Sequence, residues 1–425
     1  MYFIYSVVLG FGFALALPWF LWKGRATGKY FRTFRERMGR LPVYLNIDGD
    51  RSIWVHAVSV GEVLATRPLI PALKQRYPNH KVFLSTTTMT GNAVAQKSVR
   101  GVDGLFYAPF DWPGPVKKAL ATLKPSLLVL VETEIWPNLI HEAHLGGTRI
   151  ALVNGRISRK SFAGYRWIRG FLRRVLSEVD VFLMQGEAHA ERVRSMGAPA
   201  ERVKVTGNLK FDAVEAARTP ERLARILGGE ARRDRPLWVA GSTVTGEEEL
   251  ILQAYHRVRE RVPLTGLVLA PRHPERFPQV PALVESAGFR CLRRTNLEPG
   301  EWRDGEVVLL DTLGELAQLY PLASVVFVGG SLVPSGGHNI LEPAVAGKPV
   351  IVGPHMQNFQ EIAEKFQAEG ALLQVESAED LAREVIGLLT DEVRRRSLGE
   401  RAKSLVDKNR GALRNTIDGL AGLVA

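Results

Sequence analysis

The chain has 425 residues, 46% of them hydrophobic and 24% charged, with a formal charge of +12. That length exceeds one ordinary core and that composition excludes a disordered or fibrous chain, so two globular domains are expected. A single cysteine, Cys291, excludes an intrachain disulfide framework and a thiolate metal cluster, while the positive charge points to an acidic partner: nucleic acid, an anionic membrane surface or a phosphorylated substrate.

The first segment, Tyr2 to Trp22, carries no charge and, at about 1.5 Å per residue, is long enough to span a bilayer as a helix. Lys23, Arg25, Lys29, Arg32, Arg35, Arg37 and Arg40 follow, with only Glu36 against them. The positive-inside rule then places the body of the protein on the cytoplasmic side. No positive charge precedes the apolar run and Ala14-Leu15-Ala16 makes a poor cleavage site, so residues 1–23 read as an uncleaved anchor. A buried or interfacial helix that never spans is the blander reading.

Beyond the anchor, β-rich runs alternate with helical ones: "SIWVHAV", a helix from about Val63 to Arg76, "KVFLSTTT", a helix after Gly91, then "SLLVLVE", "TRIALVN" and "VDVFLMQ". Strands alternating with helices predict a parallel, doubly wound sheet over residues 24–211. Residues 212–235 are charged and helical with a Gly-Gly pair near their end, and read as a linker. A second series, "PLWVAGST", "TGLVLAPRHP", "EVVLLDT", "SVVFVGGS" and "KPVIVGP", ends in C-terminal helices and fills 236–425. The fold class expected is α/β, with two Rossmann-like domains facing one cleft.

The candidate chemistry sits where these strands run out. In "WVHAVSVGEV" the spacing of Ser59 and Glu62 is that of a capping box. Alternatively, Gly61 bares the turn and leaves Glu62 in the crevice at a strand's carboxyl end. In "VETEIWPN", Glu132 and Glu134 reach the end of another strand, and repulsion with Glu62 would raise the proton affinity of at least one acid. The stretch Val153 to Arg174 mixes Arg156, Arg159, Lys160 and Arg166 with Phe162, Tyr165, Trp167 and Phe171. It reads as a face for anionic lipid, or more blandly as a solvated basic helix.

In the second half, "VGGSLVPSGGHNILEPAVAGKPVIVGP" predicts a strand, a glycine-rich loop and a helix from about Asn339 to Gly347. Backbone N–H groups at such a helix start would take a phosphate, and Glu342 would accept from two ribose hydroxyls. Asn339 with Glu342 is also a capping box. Ser242 and Thr243 offer further anion ligands, and Arg272 and Arg276 supply donors for planar anions. There is no Walker lysine loop and no G-x-G-x-x-G; Asp48-Gly49-Asp50 reads as a turn, and His56, His273, His338 and His355 are too scattered to predict a metal site.

Taken together and in order, "HAVSVGE", "TTTMTG", "YAPFDWPG", "VETEIWPN", "VTGNLKFD", "APRHPERF", "DTLGEL", "VGGSLVPSGGHNILEP" and "VGPHMQNF" resemble the 3-deoxy-D-manno-octulosonic acid (Kdo) transferase family, membrane-anchored glycosyltransferases of lipopolysaccharide inner-core synthesis. The resemblance covers nearly the whole chain. It implies a GT-B fold whose N-terminal domain holds the lipid A precursor and whose C-terminal domain holds CMP-Kdo, with inversion at the anomeric centre and neither metal nor other cofactor. It further implies an anionic membrane surface as partner, no nucleic acid, and an inner-membrane location with the catalytic domains in the cytoplasm.

Residue by residue, Glu62 falls on the family's general base, with Ser59 and Gly61 beside it, and the second acidic position falls within Glu132-Thr133-Glu134. Lys210 in "NLKFD" matches a lysine near the donor, and Ser242, Thr243, Arg272, His273, Gly337, Asn339 and Glu342 match donor-side motifs. Pro334-Ser335 depart from the family in a loop where other members can carry charge. Two other classes compete. A nucleotide-sugar epimerase shares the fold but needs no anchor or basic-aromatic face, and a non-catalytic membrane tether leaves the glycine-rich loops unexplained.

Overall fold

A computed structural model describes residues 1–27, 29–158, 162, 164–165, 168–227 and 235–424. The apolar, β-branched runs form strands as their composition dictates. In the first half these are β1 (Ser52–His56), β2 (Lys81–Thr86), β3 (Gly104–Tyr107), β4 (Pro125–Val131), β5 (Arg149–Gly155), β6 (Val181–Met184) and β7 (Val203–Val205). They pair in the order β3-β2-β1-β4-β5-β6-β7, all parallel. Every residue of β1 is buried, because helices cover both faces. Trp54 and Leu128 pack on one side with Val116 and Leu139, and Ile53 and Val129 on the other with Val63 and Leu69.

The second half repeats the design. Its strands are β8 (Leu237–Thr243), β9 (Gly266–Pro271), β10 (Arg290–Arg293), β11 (Glu306–Leu309), β12 (Val325–Val328), β13 (Val350–Val352) and β14 (Leu373–Gln374). Their order is β10-β11-β9-β8-β12-β13-β14, again parallel. Winding reverses between β1 and β4 in the first sheet and between β8 and β12 in the second. At such a switch point the loops leaving two neighbouring strands part in opposite directions and open a crevice.

The compact units are Met1–Ala213 with Asn409–Ala425, and Val214–Lys408. The last helix, Ala412–Leu420, therefore clusters with the first unit and not with the residues 236–425 that were expected to hold it. Asp212 carboxylate oxygens accept the N–H groups of Gly411 and Leu413, each at 2.8 Å, and Leu420 is fully buried. Within the expected linker 212–235, the helix Glu221–Leu227 buries Leu223, Ile226 and Leu227 as part of the second unit.

At the amino end, α1 (Tyr2–Thr27) and α2 (Lys29–Arg37) precede β1. Among the described residues no helix is long and apolar enough to cross a membrane, so the expected spanning anchor finds no support. The first turns of α1 instead fasten it side-on to its own unit. Tyr2 Oη donates to Glu178 Oε2 (2.8 Å), Tyr5 Oη to Asp111 Oδ2 (2.9 Å), and Asn138 Nδ2 to Ser6 Oγ (3.0 Å), while Phe13 meets Phe110 and Trp112 edge-on. The opposite stripe, Phe3, Ile4, Val7, Val8, Phe11 and Leu15, is exposed.

Candidate active site

In the first unit, β1 leads through Ala57 and Val58 into α3 (Val60–Arg76). Ser59 is the N-cap of α3; its Oγ accepts from Glu62 N at 3.5 Å and donates to Glu62 Oε1 at 2.6 Å. Val58 N donates to Glu62 Oε2 at 2.7 Å. The capping interaction is thus real, but the same carboxylate is almost buried beside the switch point. A side chain at Gly61 would meet nothing nearer than Ser59 Oγ, 3.9 Å away, so no packing demands glycine and the turn is simply left bare. Burial and the neighbouring Glu134 push the Glu62 carboxyl up to about 7, against the pull of the Ser59 and Val58 hydrogen bonds and with a smaller push from Glu132.

Across the switch point, Glu132 follows β4 with φ +61°, a left-handed conformation that costs a non-glycine residue about 1–2 kcal/mol. Its Oε1 pairs with Lys210 Nζ at 3.1 Å. Lys210 is held in the same unit by stitching between successive strand-end loops. Lys210 N donates to Asn208 Oδ1 (3.0 Å), Asn208 Nδ2 to Gln185 Oε1 (2.9 Å), Gln185 Nε2 to Asn154 O (2.9 Å), and Leu209 N to Asn154 Oδ1 (3.0 Å). Asn154, like Glu132, is left-handed, at φ +55°.

Glu134 accepts Trp136 Nε1 at 2.6 Å, and burial raises its carboxyl, with Glu132 adding to the effect and Trp136 opposing it. The Trp136 ring stands edge-on to His56, which burial holds neutral, down at about 3. Thr133 Oγ1 donates to Arg156 O at 2.6 Å, so Arg156 serves the acid loop through its backbone. Arg159, Lys160, Arg166 and Trp167 lie outside the described residues.

In the second unit, β8 ends on Ser242, left-handed at φ +58°, and Thr243. Thr243 Oγ1 donates to Glu248 Oε1 (3.0 Å), and Arg276 Nη2 to Glu248 Oε2 (2.8 Å). Arg276, expected as an anion donor, is therefore committed to a fully buried carboxylate. Arg272 N donates to Thr243 O (2.8 Å), which sets the loop carrying Arg272 and His273 against the end of β8. The glycine-rich loop folds back on itself: Gly337 N reaches Gly330 O at 2.7 Å, and Asn358 N reaches Gly336 O at 2.8 Å. Gly337 has φ +72°, and a Cβ there would strike Met356 and the His355 carbonyl.

His338 follows, with its Nε2 buried and unpartnered. Burial, then Arg272 and His273, hold its ring down at about 4, so two of the four histidines that read as scattered, His273 and His338, share one polar cluster with Arg272. The predicted helix Asn339–Gly347 shrinks to Leu341–Val345: Pro343 has no N–H to give the Asn339 carbonyl, and Gly347, left-handed at φ +69°, lies past its end. Asn339 Oδ1 accepts Leu341 N and its amide donates to Glu342 Oε1, both at 3.1 Å. Asp48 and Asp50 both pair with Lys81, at 2.8 and 3.1 Å, around the turn at Gly49.

Two doubly wound parallel units, each with polar and charged residues at its switch point, make a GT-B-like fold, and a family model for group 1 glycosyl transferases matches residues 306–405. The model described as 3-deoxy-D-manno-octulosonic-acid transferase (kdotransferase) matches residues 32–213. The chain is 36% identical over 373 residues to the 3-deoxy-D-manno-octulosonic acid transferase of Haemophilus influenzae, covering 87% of this chain and 86% of that one. It is 35% identical over 432 residues to that of Bordetella pertussis, covering 98% of each. The chain belongs to the Kdo transferase family. Its fold is also like that of UDP-GlcNAc 2-epimerase from Neisseria meningitidis, with TM-score 0.56 at 13% identity over 87% of this chain and 99% of that one; at that identity the likeness is one of fold alone.

Proposed function

We propose that this protein transfers Kdo from CMP-Kdo to a hydroxyl of the lipid A precursor in lipopolysaccharide synthesis, with inversion, no metal, and Glu62 as general base. The observation that carries the mechanism is the Glu62 carboxylate at the switch point with its proton affinity raised to about 7. A base is most effective when its pKa lies near the working pH. Glu62 takes the proton of the attacking hydroxyl as the new C–O bond forms at the anomeric carbon and the bond to the CMP phosphate oxygen breaks. Glu134 and Glu132 raise the proton affinity of Glu62, so the neutral acid left after transfer relieves their mutual repulsion.

On the donor side, Ser242, Thr243, Arg272, His273, Gly337 and Asn339 surround the phosphate and sugar acid, and Glu342 accepts from ribose hydroxyls. CMP departs as an anion, which Arg272 stabilises through charge-assisted hydrogen bonds. Lys210 belongs to the acid cluster, its ammonium 3.1 Å from Glu132 Oε1.

The exposed stripe of α1, from Phe3 to Leu15, meets the lipid surface from which the acceptor is drawn, helped by a chain of net charge +12. The test is incubation with CMP-Kdo and a tetraacylated disaccharide bisphosphate, read by mass. A lipid product heavier by whole Kdo residues supports transfer; altered sugar nucleotide with unchanged lipid would mean an epimerase, and no change in either would mean a tether.

A further inference from the structure

Glu247 stands between β8 and the helix Glu248–Arg261, in an acidic run that reads as an ordinary solvated helix start. It is fully buried. Its Oε2 accepts the N–H groups of Gly330 at 2.6 Å and Val244 at 3.2 Å, and its Oε1 accepts those of Ser331 and Leu332, each at 2.8 Å. Gly330, Ser331 and Leu332 follow β12, on the far side of the switch point from β8. Successive backbone N–H groups aimed at one spot make an anion receptor, placed where doubly wound units receive ligands. Here the chain's own carboxylate fills it.

The neighbouring geometry shows how closely this is built. A Cβ on Gly329 would lie 2.6 Å from Ser242 O, 2.7 Å from Thr243 Cα and 2.8 Å from Glu247 Oε2, so the loops after β8 and β12 meet backbone to backbone. From the filled receptor the constraint passes outward. Gly330 O accepts Gly337 N (2.7 Å), and Ser331 O accepts His355 N (2.9 Å). The Cβ that Gly330 lacks would sit 2.8 Å from His338 Nε2. Glu247 thereby fixes both the glycine-rich loop and the position of His338.

We infer that Glu247 is the positioning residue of the donor site: it occupies the 330–332 amides in place of a ligand phosphate and sets the loop 333–339, leaving the phosphate to Arg272, His273 and the Gly337–Asn339 segment of that loop. The inference rests on the reading of the second unit as the CMP-Kdo side. Glu247→Gln retains one acceptor oxygen, enough for two of the four N–H donors, and turns an NH₂ toward the other two. With two charge-assisted bonds lost, CMP binding measured by calorimetry on the full chain weakens about tenfold or more, at a temperature where the variant's thermal transition shows it folded.

Wild-type protein that binds CMP while folded Glu247→Gln binds it within about twofold would overturn the role. Wild-type protein that binds no CMP would overturn the donor reading, and this role with it. Hydrogen exchange of the wild type needs no variant to fold. The amides of 330–332 exchange slowly without CMP and no more slowly with it; rapid exchange that CMP suppresses would mean that the receptor is open to ligand, which refutes the inference.

Discussion

Replacing Glu62 by glutamine separates the helix cap from the proposed base, because the two carry opposite consequences. Holding this almost buried carboxyl at about 7 in place of the ordinary 4.5 means that ionising it in the folded protein costs about 3 kcal/mol more than in the unfolded chain. Since the pKa is raised, the associated stability is present in full below pH 4.5 and is lost as pH rises through about 7. Glutamine never ionises and escapes that cost. It has one acceptor oxygen for the two donors, Ser59 Oγ and Val58 N, and so forfeits about 1 kcal/mol. The variant should then be more stable than wild type by about 2 kcal/mol at pH 8 and less stable by about 1 kcal/mol at pH 4.5, as followed by the first unit's thermal transition. Kdo transfer should nevertheless fall by about 10²–10⁴-fold, and the wild-type rise in kcat/KM of about tenfold per pH unit below pH 7 should vanish. CMP affinity should stay unchanged. A stabilised variant that retains most of its transfer would show that Glu62 is only a helix cap.

Lys210→Met removes the cation 3.1 Å from Glu132 and leaves the acids without their counter-charge, so the acid limb of the pH–rate profile should move to higher pH and stability should drop by about 2 kcal/mol; an unmoved limb would detach Lys210 from the base. Glu342→Ala should weaken CMP binding by about 1.5–3 kcal/mol in calorimetry, whereas lost stability at unchanged affinity would leave Glu342 a structural residue of its loop. Ser242→Gly relieves φ +58° and should stabilise the second unit by about 1 kcal/mol, while CMP affinity falls with the hydroxyl. Phe3→Asp with Phe11→Asp should abolish flotation with anionic vesicles yet leave transfer to detergent-dispersed acceptor within about twofold; undiminished flotation would place the lipid contact elsewhere.

The strands that the alternation of elements made legible are the interior ones, and those it missed show why. β3, β7, β10 and β14 are the edges of the two sheets and run only 4, 3, 4 and 2 residues. An edge strand has one hydrogen-bonded neighbour and a partly exposed surface, so its sequence carries neither a long apolar run nor a clean alternation. The glutamates at the ends of β1 and β4 were legible because a strand-to-helix turn announces itself locally through Ser59 and Gly61. Glu247 was not. Three of its four partners lie more than eighty residues away, and in "TGEEE" it has the look of any acidic first turn.

The same limit governs left-handed Glu132, Asn154 and Ser242, whose backbone strain sequence cannot display, although all three sit at strand ends where the candidate chemistry is. Local pattern thus tells which loops leave the sheet beside a switch point. Which side chains cross it is settled by strand order, and strand order is also why one residue can close a helix and carry the raised proton affinity on which the proposed base rests. The cap holds the Glu62 carboxylate through Ser59 and Val58, and the switch point between β1 and β4 buries it and brings Glu134 and Glu132 close enough to raise its proton affinity further. A capping box on a solvated helix would have the first property without the second.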